Sequence, residues 1–125
     1  MDLKTAEKLT PKEYHARRET ERQARREAFR ERKLREAREA IHRIAPRYPA
    51  IGSVHLFGSL LAPGWFTTHS DIDVALECDD LEVETPFARE LEGMLEIPVD
   101  LRPLSGPLVE TVRSTGEKVY QRQDP

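Results

Sequence analysis

From Thr10 to Ala45 the chain contains no glycine, and between Pro11 and Pro46 it contains no proline. A run of that length, rich in Ala, Arg, Glu and Leu, predicts one long α-helix. Thr10 can cap it, Pro11 takes the first helical position, where a missing N–H costs nothing, and Glu13 completes a capping box. Pro46 stops it. At the usual rise per residue such a helix spans on the order of 50 Å. In its back half, Leu34, Ala37, Ile41, Ile44 and Ala45 recur at helical spacing and should face a core. Within the helix ahead of Leu34 the only sizeable apolar residues are Tyr14 and Phe29. The chain therefore divides into a basic helical arm, residues 1–33, and a body, residues 34–125.

Charge is distributed unevenly along the chain. Through Arg47 there are fifteen Lys/Arg against nine Asp/Glu, or +6; from Tyr48 onward there are five against fourteen, or −9, giving a net −3. A basic arm on an acidic body suggests separate tasks. Arg18, Arg22, Arg26, Arg30 and Lys33 form a stripe at helical spacing, where like charges repel. Such a stripe suits an acidic partner: another protein, or the acidic body of a second copy in a homodimer formed through the helix. Nucleic acid ranks last among these. Glu13–Arg17, Glu21–Arg25 and Glu31–Arg35 can pair elsewhere on the helix, and a solvated, salt-bridged helix is the plain alternative.

Other features bound the class. No stretch approaches the ~18 consecutive apolar residues of a membrane span. Residues 1–10 carry no apolar signal-peptide core. Cys78 is the only cysteine, which leaves no internal disulfide and suggests no cysteine-based zinc site. We expect a single cytoplasmic domain without membrane association.

The body alternates elements. Val54–Phe57 is a short apolar run ending in Gly58-Ser59, consistent with a buried strand. Leu60-Leu61-Ala62 can start a short helix before Pro63. Asp71 to Glu77 alternates strictly, with Ile72, Val74 and Leu76 on one face. Thr85-Pro86 opens a helix with an apolar stripe of Phe87, Leu91, Met94 and Leu95. Pro98 to Arg102 is a third strand, with Asp100 opposite Val99 and Leu101. Leu108 and Val112 mark a short helix ended by Gly116, and Val119-Tyr120 a final edge strand. The sum is an α/β (α+β) domain, a small sheet covered by helices.

Three aspartates carry the chemistry. Asp71 and Asp73 lie two apart on a strand, so their side chains leave one face, with Cα atoms roughly 7 Å apart. Carboxylates so placed can converge on metal ions ~3.5–4 Å apart, as in two-metal phosphoryl transfer. Asp is depleted in strands, so two on one face ask for a reason. If the Asp100 strand neighbours theirs in register, three carboxylates crowd one patch, and a divalent cation would resolve the repulsion. Asp100 alone could equally pair with Arg102. Gly58-Ser59 directly follows an apolar strand, where backbone N–H groups and a hydroxyl suit a phosphate. Of the remaining residues, Trp65 either plugs the core edge or stacks on a base, His69 lies near enough to touch phosphate, and Cys78 reads as a buried small residue.

Leu56-Phe57-Gly58-Ser59, Ser70-Asp71-Ile72-Asp73-Val74, Val99-Asp100-Leu101 and the tail Gly116–Tyr120 together resemble the minimal nucleotidyltransferases of the DNA polymerase β superfamily, over roughly Leu34 to Arg122. The resemblance implies a polymerase-β-like fold, a small mixed sheet with flanking helices, here preceded by a long N-terminal helix. It implies that Gly58 and Ser59 hold a nucleoside triphosphate, that Asp71 and Asp73 bind two Mg²⁺ (or Mn²⁺), and that Asp100 helps bind one metal and activates an attacking hydroxyl. Two departures stand out: the Ser59–Asp71 spacer is one residue longer than the commonest pattern, and Leu60-Leu61 follow where an Arg is usual. The expected reaction is transfer of AMP from ATP to a hydroxyl. Domains of this kind are often antitoxins that adenylylate a tyrosine of a HEPN ribonuclease toxin, and a chain of this length leaves no room for a second substrate domain. A small-molecule transferase of the aminoglycoside type, or a catalytically weak module acting by occlusion, are the alternatives.

Overall fold

The computed structural model describes residues 8–123. The first helix, α1 (Pro11–Ile44), begins as the capping residues dictate: the Thr10 hydroxyl accepts from Glu13 N, and the Glu13 carboxylate accepts from Thr10 N. A 3₁₀ turn, Ala45–Arg47, containing Pro46, ends it. Four strands follow, β1 (Ile51–Phe57), β2 (Ile72–Cys78), β3 (Val99–Pro103) and β4 (Glu117–Gln121). Between them lie α2 (Glu84–Leu95) and α3 (Pro107–Thr115).

The strands form one mixed sheet in the order β3-β2-β1-β4. β1 is antiparallel to both β2 and β4, whereas β2 and β3 run parallel. A parallel pair needs a crossover, and α2 supplies it. The main core joins Val54, Leu56, Ile72, Val74 and Leu76 of the sheet to Ala37, Ile41 and Ile44 of α1 and to Phe87, Leu91 and Leu95 of α2. Alternation sends Ala75 to the opposite face, where it packs with Phe57 and Val112 of α3 in a second, smaller cluster. Every residue of β1 is buried, as a central strand covered on both faces requires.

The alternation expected for β2 and the polar position of Asp100 match the observed strands. Met94 departs from the expected α2 stripe and is exposed, because the core takes only Phe87, Leu91 and Leu95. Packing of α1 also reaches further back than Leu34. Phe29 stacks on buried Phe66, with ring centroids 5.8 Å apart. Arg30 and Lys33 are buried too: Arg30 Nη1 donates to the Leu60 carbonyl at 3.0 Å and Lys33 Nζ to the Leu95 carbonyl at 2.8 Å. Two members of the basic stripe thus satisfy carbonyls of their own body. The expected helix pairs are replaced by others, among them Arg17–Glu21, Arg22–Glu19 and Arg30–Glu27.

Candidate active site

The strand register brings two of the three aspartates together. In the parallel β2–β3 pair, Asp73 stands opposite Asp100, and Ile72 opposite Val99. In the antiparallel β1–β2 pair, Phe57 stands opposite Asp73, which brings the next residue, Gly58, against the same side chain. Gly58 has φ +76, in the left-handed region, and a Cβ built on it would overlap Asp73 Oδ2. Only glycine meets both demands without strain. Gly58–Leu61 then forms a short 3₁₀ turn with Leu60 fully buried beneath it. Asp71 precedes β2 and is exposed, at the end of a turn in which Ser70 N donates to Thr67 O.

The electrostatics fit a cation site. Asp73 is half-buried, and its carboxyl is pushed above the usual carboxylate range. Burial is the main cause, followed by the Asp100 carboxylate; Arg102 opposes them, while Asp71 and a hydrogen bond with Asp100 add to the rise. Asp100 Oδ2 accepts from Arg102 Nη2 at 3.0 Å. Asp100 therefore both joins the acidic cluster and has the Arg102 partner. Among the described residues, no three His, Cys, Asp or Glu side chains close up far enough to hold an ion unaided. Mg²⁺ commonly completes its shell with water and substrate phosphates. The acceptor-oxygen donor set fits such an ion.

Trp65 is 75% exposed, so it does not plug the core edge. His69 is exposed two residues before Asp71. Cys78 is only half-buried, and its Sγ donates to the Asp80 carbonyl at 3.2 Å. His55 is buried with Nε2 2.8 Å from Ser53 Oγ, and burial holds its pKa below the usual histidine value, with Lys118 adding to the effect. A cavity of about 400 Å³ opens between α2 and β3, lined by Thr85, Arg89, Glu92 and Asp100 among others. The sequence shows no sign of it, since its walls come from segments that only the crossover brings together.

The family model described as "Polymerase beta, Nucleotidyltransferase" matches residues 39–125. The chain belongs to the polymerase β nucleotidyltransferase family. Among solved structures, this nucleotidyltransferase is similar to a mutant of the MntA–HpeT toxin–antitoxin, with 25% identity, a TM-score of 0.55, and coverage of 70% of this chain and 74% of that one. It is equally close in fold to a toxin–antitoxin solved with AMP-PNP, with 26% identity, a TM-score of 0.55, and coverage of 69% and 74%. A third match is a tri-AMPylated Shewanella oneidensis HEPN toxin in complex with MNT antitoxin. It has 24% identity, a TM-score of 0.50 and coverage of 72% and 73%, a likeness of fold alone. No curated protein matches the sequence. Most of α1 precedes the matched residues. No helix among the described residues is long and apolar enough to cross a membrane.

Proposed function

We propose that this nucleotidyltransferase transfers AMP from ATP to a hydroxyl of a partner protein, a tyrosine of a HEPN ribonuclease toxin, and so serves as its antitoxin in the cytoplasm. The observation that carries the chemistry is the Asp73–Asp100 register pair pressed against Gly58. Family membership supports the reaction class. The toxin–antitoxin likenesses at 25% and 26% identity support the partner, and the AMP-PNP in one of them supports the adenine nucleotide.

In this reading Gly58 and Ser59 bind the triphosphate through backbone N–H groups and the Ser59 hydroxyl. Asp71, Asp73 and Asp100 hold two Mg²⁺, or Mn²⁺ in their place. When bound, divalent ions offset the charge that grows on the phosphoryl group and the leaving pyrophosphate. Asp100 accepts the proton of the acceptor hydroxyl as its oxygen bonds to the α-phosphorus and the bond to the bridging oxygen breaks. Pyrophosphate leaves. Residues 34–125 form the transferase domain, and the basic arm, residues 1–33, serves association, with the partner or with a second copy.

Incubation with α-labelled ATP, Mg²⁺ and a HEPN toxin, if one is encoded beside this chain, should label that toxin on tyrosine and silence its ribonuclease. Asp71→Ala with Asp73→Ala should abolish labelling while the fold survives. Silencing by the double variant without label would favour occlusion instead, and a melt far below wild type would make these aspartates structural.

A further inference from the structure

The structure splits the basic stripe of α1 in two. Arg30 and Lys33 are consumed by body carbonyls. Further toward the N-terminus, Arg22, Arg25 and Arg26 line a groove of about 480 Å³ against Thr67, Thr68 and His69, with Phe29 at its floor. The groove exists because α1 is pinned to the loop beside it. Glu27 accepts from Gly64 N, and Phe29 stacks on Phe66. Of the three guanidinium groups, only Arg22 is paired, to Glu19 at 2.8 Å; Arg25 and Arg26 have no ion pair among the described residues.

Three guanidinium groups within five residues repel one another, and the chain leaves that repulsion largely uncompensated. A fork-shaped guanidinium matches phosphate oxygens in pairs. Thr68 adds a short hydroxyl donor on the opposite wall, where the Thr67 hydroxyl is already engaged by His69 N and Ser70 Oγ. The Phe29 ring is already taken, stacked on Phe66 with the Arg32 guanidinium 5.4 Å from its centroid, so no free aromatic face is offered to a base. From this charge, these donors and that missing stacking face, we infer that the groove is a binding site for closely spaced phosphates, read through their charge and not through their bases. Two sources share that chemistry, the phosphodiester backbone of a single-stranded nucleic acid and a free oligophosphate. None of the three aspartates lines the groove, although the 67–70 turn leads toward Asp71.

The test uses the full chain in EDTA with two probes, a fluorescent single-stranded RNA and inorganic triphosphate as competitor. Arg25→Glu with Arg26→Glu should weaken binding at least about tenfold, the drop expected when one charge-assisted hydrogen bond is removed. It should also flatten the dependence of log K on log salt by about 0.7 for each phosphate no longer neutralised. Lys12→Glu with Arg17→Glu makes the same change in net charge on the same helix outside the groove, and should bind as wild type. Displacement of RNA by equimolar triphosphate would name the free oligophosphate as the source, and failure to displace it would name the backbone. Asp71→Ala with Asp73→Ala should leave binding intact, so the site stands or falls apart from the transferase reading. Absence of binding, equal weakening in both charge-reversed variants, or equal affinity for a poly-glutamate peptide would overturn the inference.

Discussion

Gly58 is the residue on which the candidate site turns, because its backbone conformation and its closeness to Asp73 are separate constraints. An Ala there faces a left-handed φ, which costs an L-residue roughly 1–2 kcal/mol, and a Cβ that collides with Asp73 Oδ2. Gly58→Ala should therefore lower the melting temperature and abolish transfer. Adding Asp73→Ala should recover the steric part of the stability loss but leave the part due to φ. Equal melts for Gly58→Ala and wild type would show that the turn relaxes. Asp73 itself has a signature in pH. Its folded pKa is raised, so the folded state binds more protons than the unfolded one. Stability from this group then falls as pH rises from the ordinary carboxylate range through the raised value. Asp73→Asn should melt higher than wild type at neutral pH, and the difference should vanish in acid below the ordinary carboxylate pKa. A variant that melts lower at neutral pH would mean that the carboxylate holds structure together.

Among the elements, α1 is held to the body by buried cations as well as by its apolar stripe. Lys33 supplies the donor that the last carbonyls of α2 lack, since a helix end leaves them without intrahelical partners. Arg30 does the same for the turn beneath Gly58-Ser59. Lys33→Ala should leave a buried carbonyl unsatisfied and cost about 1–3 kcal/mol by denaturant unfolding. A loss under a few tenths would show that water replaces the ammonium. Arg38 adds a paired contact to Glu117 of β4 at 2.6 and 2.7 Å, and this bond holds Glu117 below its usual pKa. The stability it contributes is present above the ordinary carboxylate range and is lost as pH falls through the depressed value. Just past Leu95, α2 closes on Glu96 in the left-handed conformation, a position that glycine more often takes.

For the whole molecule, the question is where the arm ends and the body begins. Residues 11–21 are exposed throughout, whereas Glu27 to Lys33 already meet the body. Deleting residues 1–20 should leave the melting temperature of the monomer unchanged, because residues 10–20 are exposed. Deleting residues 1–33 should leave a folded but less stable domain, since Phe29, Arg30 and Lys33 go with it. Circular dichroism melts distinguish the two, and light scattering with and without the partner shows whether either deletion changes assembly. A fall in melting temperature on the shorter deletion would place part of the front half against the body. Complete unfolding on the longer one would make the arm and the transferase domain a single unit.

The sequence alone determined the helix from Pro11, its cap, the strand that ends at Gly58, the alternation of β2, the closing helix and edge strand, and the family. Each of these rests on neighbours within a few residues: a capping box, a period of two, a glycine after an apolar run. Asp71, Asp73 and Asp100 were legible as candidates for the same reason. Whether they meet was not, because the parallel register that sets Asp73 opposite Asp100 is fixed by α2 packing across the sheet. Tertiary structure alone also decided that Arg30 and Lys33 turn inward while Arg22, Arg25 and Arg26 line a groove. In the sequence these residues form a single basic run. What separates them is where the body's unsatisfied carbonyls happen to lie, and only the folded chain brings those carbonyls within reach.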